Sequence, residues 1–169
     1  LVRFMPDGKP DSSFGQNGIA TLDISLDDNI LSIAVLSDGK ILAAGVAKNN
    51  KLKFALAKFL PNGDLDTDFG ASTGYTLTAL GVSYDVCASM AVQPDGKILL
   101  AGSSVINGWP DAALVRYNSN GILDAGFGSF GIVSTPFSIT ADIGLKVALQ
   151  PDGKIIVAGS SNNSQQKSE

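Results

Sequence analysis

The chain carries, at Pro94-Asp-Gly-Lys-Ile-Leu-Leu-Ala-Gly102, the stretch that decides its fold. The same pattern occurs twice more, as Ser37-Asp-Gly-Lys-Ile-Leu-Ala-Ala-Gly45 and as Pro151-Asp-Gly-Lys-Ile-Ile-Val-Ala-Gly159. The copies follow one another at intervals of about 57 residues, and a fixed period of this length is the signature of a repeat architecture. Within each copy, the Asp-Gly-Lys segment predicts a tight hairpin turn, and the apolar run after it predicts a β-strand.

A second block also occurs three times and places an apolar segment before a turn and a Phe-Gly pair. The apolar segments are Leu1-Val-Arg-Phe4, Leu56-Ala-Lys-Phe59 and Leu114-Val-Arg-Tyr117. The pairs that follow them are Phe14-Gly15, Phe69-Gly70 and Phe127-Gly128. Because both blocks recur in the same order, the repeats account for almost the whole chain.

The middle repeat resolves into four short strands, predicted at Ser32–Leu36, Lys40–Ala47, Lys53–Leu60 and Tyr75–Leu80. The second of these strands is apolar at both alternating positions, which indicates a sheet covered on both faces. Gly45 within it is typical either of close approach between blades or of a β-bulge. A four-stranded antiparallel sheet packed between copies of itself is a blade of a β-propeller.

We therefore predict an all-β fold, a β-propeller built of four-stranded antiparallel blades in circularly shifted repeats of about 57 residues. The chain holds about three blades' worth of strands. One β-propeller segment is assigned to residues 1–160, followed by a polar C-terminal tail at 161–169. The segment is divided into a half blade at 1–22, blades at 32–80 and 88–135, and a second half blade at 145–160.

Composition limits what the chain can do. It has 169 residues, 44% of them hydrophobic, and a net charge of −4, so it can build a core but lacks the basic surface that nucleic acid requires. It contains no His, which excludes a Ser-His-Asp triad, a Cys-His pair and a His-ligated zinc site within this chain. No apolar run approaches the roughly 20 residues of a membrane-spanning helix. We expect no cofactor, no nucleic-acid partner and no membrane span.

At the recurring motifs the chain resembles a known family. Gln93–Ser103, Ala113–Asn118 and Asn120–Gly128 are similar to the delta-60 repeat of bacterial β-propeller-like proteins, and the resemblance extends over all three periods. The first repeat departs from the pattern at Leu36-Ser37, and Pro10 replaces the leucine of the other copies. The resemblance implies the propeller fold and a location at the bacterial cell surface or outside the cell. It implies no defined activity.

Three carboxylates at Asp64, Asp66 and Asp68 form a pattern that a calcium loop would use. The glycine and the distal glutamate of an EF-hand are missing, and only the middle acid returns in the other repeats, as Asp11 and Asp124. A recurring Asp at a turn favours a side chain that hydrogen-bonds to its own loop. No metal ligand is therefore assigned.

An aromatic residue and a cation also recur at fixed places. The aromatic residue is predicted to fill the core, the alternative being an exposed stacking surface. The cation is predicted to lie at the blade edge and to pair with the turn Asp, the alternative being an anion-binding ring. These positions are Phe14, Phe69 and Phe127, and Arg3, Lys58 and Arg116.

Cys87 is the only cysteine and is predicted to be a small buried residue. A role as a nucleophile is disfavoured, because no His is present to activate the thiol. The 15 aspartates offer carboxylates for glycoside chemistry, but no pair stands out by its spacing. No catalytic residue is therefore assigned.

The loops at the two ends of the blades differ in kind. The turns that join strands one to two and three to four are nearly identical between repeats, whereas the loops at the opposite end differ from one another. Loops carried on a rigid framework commonly bind ligands, so the variable end is the predicted binding surface. Its candidate binding residues are Trp109, Asn107, Asp111, Tyr84 and Asp85.

Two functions fit these observations. The first is a non-enzymatic β-propeller that serves as a structural or recognition module, with a protein or glycan ligand. The alternative is a carbohydrate-binding or carbohydrate-cleaving propeller that uses Asp carboxylates and the loop aromatics Trp109 and Tyr84. A core Trp in a repeat protein should recur at the aligned position, and Trp109 does not.

The strand count predicts assembly. Half a blade, two blades and half a blade amount to three blades, and propellers typically have 4–8. We expect either that the chain is a fragment of a longer propeller or that two copies form a six-bladed ring. In that ring, residues near Leu1–Thr21 of one copy complete the blade begun near Lys146–Gly159 of the other.

Overall fold

The computed structural model of the chain describes residues 1–105, 108–138 and 140–162. These residues form ten strands and contain no helix. The strands are β1 (Asp28–Val35), β2 (Ile41–Asn49), β3 (Lys51–Phe59), β4 (Tyr75–Thr78), β5 (Asp85–Val92), β6 (Ile98–Val105), β7 (Pro110–Tyr117), β8 (Ile132–Thr135), β9 (Asp142–Leu149) and β10 (Ile155–Ser161).

The strands form two complete blades and a half blade. Strands β1 to β4 make one four-stranded sheet and β5 to β8 make a second, each in sequential antiparallel order, while β9 and β10 pair with each other. Successive sheets pack in chain order, since β5 lies against β1, β2 and β3, and β9 lies against β5, β6 and β7. The all-β propeller architecture predicted from the repeats is confirmed.

The first 22 residues pack against the first blade and contain isolated bridges in place of regular strands. Bridges join Val2 to Ile19 and Phe4 to Pro10. Phe4–Pro10 corresponds to the bridges Phe59–Leu65 and Tyr117–Leu123 of the complete blades. This segment thus has the chain path of a β3–β4 unit, although the regular third and fourth strands expected here are absent among residues 1–22.

Strand β1 begins at Asp28, four residues before the predicted start at Ser32. The carboxylate of Asp28 accepts hydrogen bonds from the amides of Ile24 (2.6 Å) and Ser25 (3.0 Å), which fixes the entry to the strand. Asp28 pairs with Ala47 on β2, and the register then shifts between Ile30 and Ser32. This β-bulge hides the alternation from a reading of the sequence.

The same bulge explains the recurring glycine of β2. A Cβ on Gly45 would overlap the carbonyl oxygen of Asn29, and a Cβ on Gly102 would overlap that of Val86. The register of β5 and β6 also shifts opposite Gly102, between Cys87 and Ser89. Of the two roles left open for Gly45, the bulge is the one that the strand register shows.

The core lies between the sheets. Strand β6 is buried from Ile98 to Ser104, which confirms that the sheet is covered on both faces. The larger cluster joins the two complete blades through Phe54, Leu56, Leu100 and Tyr117, among others. The smaller cluster joins the N-terminal segment to the first blade and consists of Phe14, Ala20, Ala43, Ala57 and Phe59.

The predicted polar tail at 161–169 lies largely outside the described residues. Ser161 is the last residue of β10, and Asn162 donates its amide to the carbonyl of Ala141 at 3.0 Å. Residues 163–169 are not among those that the structure describes.

We expect Gly102→Ala to lower the free energy of unfolding by about 1–3 kcal/mol, because the new methyl group displaces the backbone at the β5 bulge. The matched control is Gly126→Ala. Gly126 is exposed, and its Cβ would meet only a side-chain oxygen of Asp124, at 3.4 Å. Urea unfolding followed by circular dichroism measures both variants. Equal stabilities would show that the bulge does not require glycine.

Candidate functional site

The two ends of the blades are built differently. One end, here called the constant end, carries the Asp-Gly-Lys turns between strands one and two and the loops between strands three and four. At each turn the Asp carboxylate accepts the amide of the Lys two residues on, at 3.1 Å in all three copies (Asp38, Asp95 and Asp152). The other end, here called the variable face, carries the loops that follow strands two and four.

The constant end holds an ion pair in each repeat. Nε of Arg3 lies 2.8 Å from a carboxylate oxygen of Asp11, and Nε of Arg116 lies 2.9 Å from Asp124. Nζ of Lys58 lies 3.7 Å from Asp66. The predicted pairing of the recurring cation with the turn Asp is therefore confirmed, and the positive charge is already compensated.

The recurring cation also covers the recurring aromatic ring. The Arg3 guanidinium carbon lies 4.6 Å from the Phe14 ring centre, and that of Arg116 lies 4.2 Å from the Phe127 ring centre. Nζ of Lys58 lies 5.4 Å from the ring of Phe69, a weaker version of the same cation–π contact.

A second cation reaches the same acid in each complete blade. Nζ of Lys40, from the β1–β2 turn, lies 2.9 Å from Asp66, and Nζ of Lys97 lies 3.2 Å from Asp124. The hydrogen bond from Lys40 lowers the pKa of the buried Asp66, more than desolvation raises it, and the charge of Lys58 adds to the effect. Each cluster ties the hairpin of one half of the blade to the loop of the other half.

The recurring phenylalanines join neighbouring units. Phe14 and Phe69 are buried, at 1% and 2% exposure. Each ring packs against a glycine of the next unit, in the space that a Cβ on that glycine would occupy. Those glycines are Gly63 and Gly121. The prediction that these residues fill the core is confirmed for Phe14 and Phe69, whereas Phe127 is half-buried.

At the variable face, the structure brings the Tyr84 loop beside the Trp109 hairpin. Val105 lies at the end of β6. Its carbonyl accepts a hydrogen bond from the amide of Val82 (3.1 Å), and its amide donates a hydrogen bond to the carbonyl of Tyr84 (3.3 Å). Val105 also pairs with Pro110 across the hairpin. Trp109 and Tyr84 are therefore held on adjoining loops, with 57% and 60% of their surfaces exposed.

Asp85 has a supporting role at this face. It is 1% exposed, and its carboxylate accepts the amides of Leu80 (2.7 Å) and Gly81 (3.2 Å) and the hydroxyl of Ser104 (2.6 Å). These three donors fix the loop that presents Tyr84. Asp111 lies within β7, buried and opposite Ser104. Asn107 lies outside the described residues.

The sequence reading missed that this aspartate recurs in every repeat. Asp28 and Asp142 occupy the same position as Asp85, and each accepts two backbone amides of the loop before its strand. Hydrogen bonding outweighs burial and lowers the pKa of Asp28 and Asp142. Their spacing of about 57 residues was the signal that could have found them.

The variable face also exposes apolar side chains on the loops that follow the strand-four position. Leu26 is 94% exposed, Val82 72% and Phe137 70%. These residues place a large apolar side chain on the loop before each first strand, and Trp109 adds another on the β6–β7 hairpin.

Other sequence candidates have structural explanations. Burial raises the pKa of Cys87 to about 12, which leaves this thiol unreactive at neutral pH. Asp11 and Asp124 accept the amides of Ser13 (3.0 Å) and Gly126 (3.1 Å), as expected of a side chain that bonds to its own loop. Within the described ranges, no cluster of acidic or cysteine residues has the geometry of a metal site.

Four-stranded antiparallel blades packed face to face in chain order define a β-propeller repeat protein. A family model described as "Domain of unknown function (DUF5122) beta-propeller" matches residues 36–69, 93–127 and 150–168, just over half of the chain. The chain belongs to this family. No curated protein matches it significantly. In the part of the chain that the structure describes, no helix is long and apolar enough to cross a membrane.

We expect the acid stability of the protein to depend on Asp66. Its pKa in the folded state lies below the ordinary value of 3.8, so its contribution is present above that pH and is lost as the pH falls through the folded value. Asp66→Asn should lower the free energy of unfolding by about 1–3 kcal/mol at pH 7 and flatten its decline between about pH 5 and pH 2.

Urea unfolding at a series of pH values measures this effect. Asp23→Asn, which makes the same charge change at an exposed position, is the control and should keep the wild-type decline. If Asp66→Asn declines as steeply as the wild type, the Lys40–Asp66–Lys58 cluster does not stabilise the fold.

Proposed function

We propose that this protein is a non-enzymatic β-propeller module that recognises a partner through its variable face. The observation that carries the proposal is the exposure of Trp109 and Tyr84 on two loops that meet at Val105, whose backbone bonds to the Tyr84 loop and pairs with Pro110. Exposed aromatic residues on a rigid support are typical binding anchors, because they bury a large area and lose little conformational entropy.

The support beneath this pair is rigid for a physical reason. The carboxylate of Asp85 holds three donors from two segments of chain, and Val105 bonds to both sides of the Tyr84 loop. A surface that is ordered before binding needs less ordering on contact. Asp85 thus contributes to recognition by positioning Tyr84.

The chemistry of the face favours a partner with apolar groups. The exposed residues Leu26, Val82 and Phe137 extend the apolar surface along the loops of successive units. A folded protein or an extended peptide presents apolar groups that such a surface can cover, and aromatic residues are enriched where proteins meet. We take a protein or peptide as the ligand class.

A glycan is the second ligand class, because exposed aromatic rings such as those of Trp109 and Tyr84 also stack on sugars. The site gives no support to sugar cleavage. Asp85 is buried and engaged with three donors, and Asp111 is buried within β7. A glycosidase needs a carboxylate on each side of the bond that it cleaves.

The proposal includes location and assembly. The resemblance to the delta-60 repeat supports a place at the bacterial cell surface or outside the cell. The apolar faces at both outermost units support completion of the ring, either by a second copy or by further repeats of a longer chain. Val2 and Phe4 at one face are 52% and 61% exposed, and Ile156 at the other is 48% exposed.

Peptides selected from a displayed random library against the purified protein test recognition by the variable face. We expect Trp109→Ala to weaken binding of the selected peptides by about ten-fold or more, because an aromatic anchor is lost. Phe130→Ala is the matched control, since Phe130 is 79% exposed in the β7–β8 loop at the constant end. The affinity of the Phe130→Ala variant for the selected peptides should stay at the wild-type value.

Peptides that bind Trp109→Ala as tightly as the wild type, but lose affinity for Phe130→Ala, would place the binding surface at the constant end and overturn the proposal. A glycan array tested with the same variants separates the ligand classes. Glycan binding that depends on Trp109, without peptide binding, would replace the protein ligand with a sugar.

A further inference from the structure

The loop that carries Tyr84 lies between two hairpins, which belong to the two complete blades. On one side, Nζ of Lys51 in the β2–β3 hairpin lies 3.4 Å from the carbonyl oxygen of Gly81. On the other side, the amide of Val105 in the β6–β7 hairpin donates to the carbonyl of Tyr84 at 3.3 Å. The aromatic loop therefore has an ammonium group at one border and the hairpin of Trp109 at the other.

Lys51 and Trp109 occupy the same place in their hairpins. The recurring glycine of the second strand pairs with Ala55 in the first blade and with Ala113 in the second. Lys51 stands four residues before Ala55, and Trp109 stands four residues before Ala113. This position is thus a cation in one blade and an aromatic residue in the next, although the strands around it repeat.

The cations at the two ends of the blades differ in their pairing. Each lysine or arginine at the constant end forms an ion pair with an aspartate, as Lys9 and Lys97 do. In the β2–β3 hairpin, Lys48, Lys51 and Lys53 form no ion pair with any acid of the described residues. The hairpin therefore carries positive charge that no carboxylate of these residues contacts.

The acids beside this loop are withdrawn from solvent. Asp85 is 1% exposed and its carboxylate is engaged by loop donors, and Asp111 is 6% exposed within β7. Asp27 is exposed, on the loop before β1, and its carbonyl accepts the amide of Lys48 at 2.9 Å. Lys51 is therefore the hairpin cation that contacts the aromatic loop.

The ammonium of Lys51 has donors to spare. It carries three N–H groups, and its one hydrogen bond to the described part of the chain is the long contact with Gly81. A carboxylate is the acceptor that pairs best with such a donor, because a charge-assisted hydrogen bond is shorter and stronger than a neutral one. The site thus combines apolar rings with a cation that is suited to an acid.

We propose that the partner of the variable face is an acidic peptide segment, in which a carboxylate binds Lys51 while apolar side chains cover Tyr84 and Trp109. This inference rests on the proposed function and adds the charge of the ligand to it. The two hairpin positions then select different groups of one segment, an acid at the first blade and an apolar group at the second.

The net charge of −4 does not oppose an acidic ligand. Charges further apart than about 8 Å are largely screened at physiological ionic strength, so the groups around the contact decide the interaction. Charged groups at the edge of an apolar site mainly set which partner is accepted and how fast it associates.

Peptides selected from the displayed random library against the wild-type protein test the charge of the ligand. We expect them to contain more Asp and Glu than the unselected library. Replacing the acids of a selected peptide by Asn or Gln should weaken its binding by about three-fold or more at low ionic strength. The difference should shrink in 1 M salt, because the ion pair is screened.

Variants of Lys51 test the contact itself. Lys51→Gln should weaken binding of the acidic peptides by about three-fold or more, whereas Lys51→Arg keeps the charge and should keep the affinity. Lys9→Gln makes the same charge change at the constant end, where the side chain is 81% exposed, and should have no effect. Lys51→Glu should weaken binding by about ten-fold, and peptides with Lys in place of the acid should regain affinity for this variant.

The outcomes separate this inference from the proposed function. Selected peptides without an excess of acids, or with equal affinity for Lys51→Gln and the wild type, would overturn the acidic contact. A loss of affinity with Trp109→Ala in the same series would leave the proposed function standing. Restored binding in the charge exchange at Lys51 supports the inference. Acidic glycans that bind through Lys51, without any peptide binding, would overturn the peptide as the ligand.

Discussion

The structure depends on burial of both faces of every sheet. Strands such as β6 are buried on both faces from Ile98 to Ser104, so each sheet needs a neighbour on either side to cover its apolar residues. This requirement explains why the units stack in chain order and why Phe14 and Phe69 reach across to the next unit. The neighbours of each blade therefore form part of its core.

Polar contacts organise the edges of these apolar layers. In each repeat, the loop aspartate between strands three and four compensates a cation that also covers a phenylalanine ring, as in Arg3, Asp11 and Phe14. Each aspartate before a first strand ties down a loop through backbone amides, as Asp85 does. Carboxylates are stable in these places because each accepts hydrogen bonds from more than one donor, and the pKa values of Asp66 and Asp142 fall because the charged form is favoured.

The division into a constant end and a variable face links the fold to the function. Loops that must latch onto the next blade keep their Gly, Asp and Phe residues, since a change there would break the junction. The loops at the other end do not share these recurring contacts, and they expose Trp109, Tyr84 and Phe137 to solvent. The contacts between units thus lie at the constant end, and the proposed recognition surface lies at the opposite end of the blades.

The amino-acid sequence by itself determined the fold class and the repeat period, and it predicted the pairing of Arg3 with Asp11, because each leaves a residue at a fixed place in every repeat. Three features were decided only by the tertiary structure. The sequence analysis assigned Asp85 as a candidate ligand contact, whereas in the structure Asp85 is buried and supports a loop. Burial depends on contacts that no local pattern records. The loop of Tyr84 is joined to the end of β6 through the backbone of Val105, which links segments distant along the chain. The early start of β1 followed from Asp28 and its bulge, because a bulge removes the alternation by which a strand is recognised.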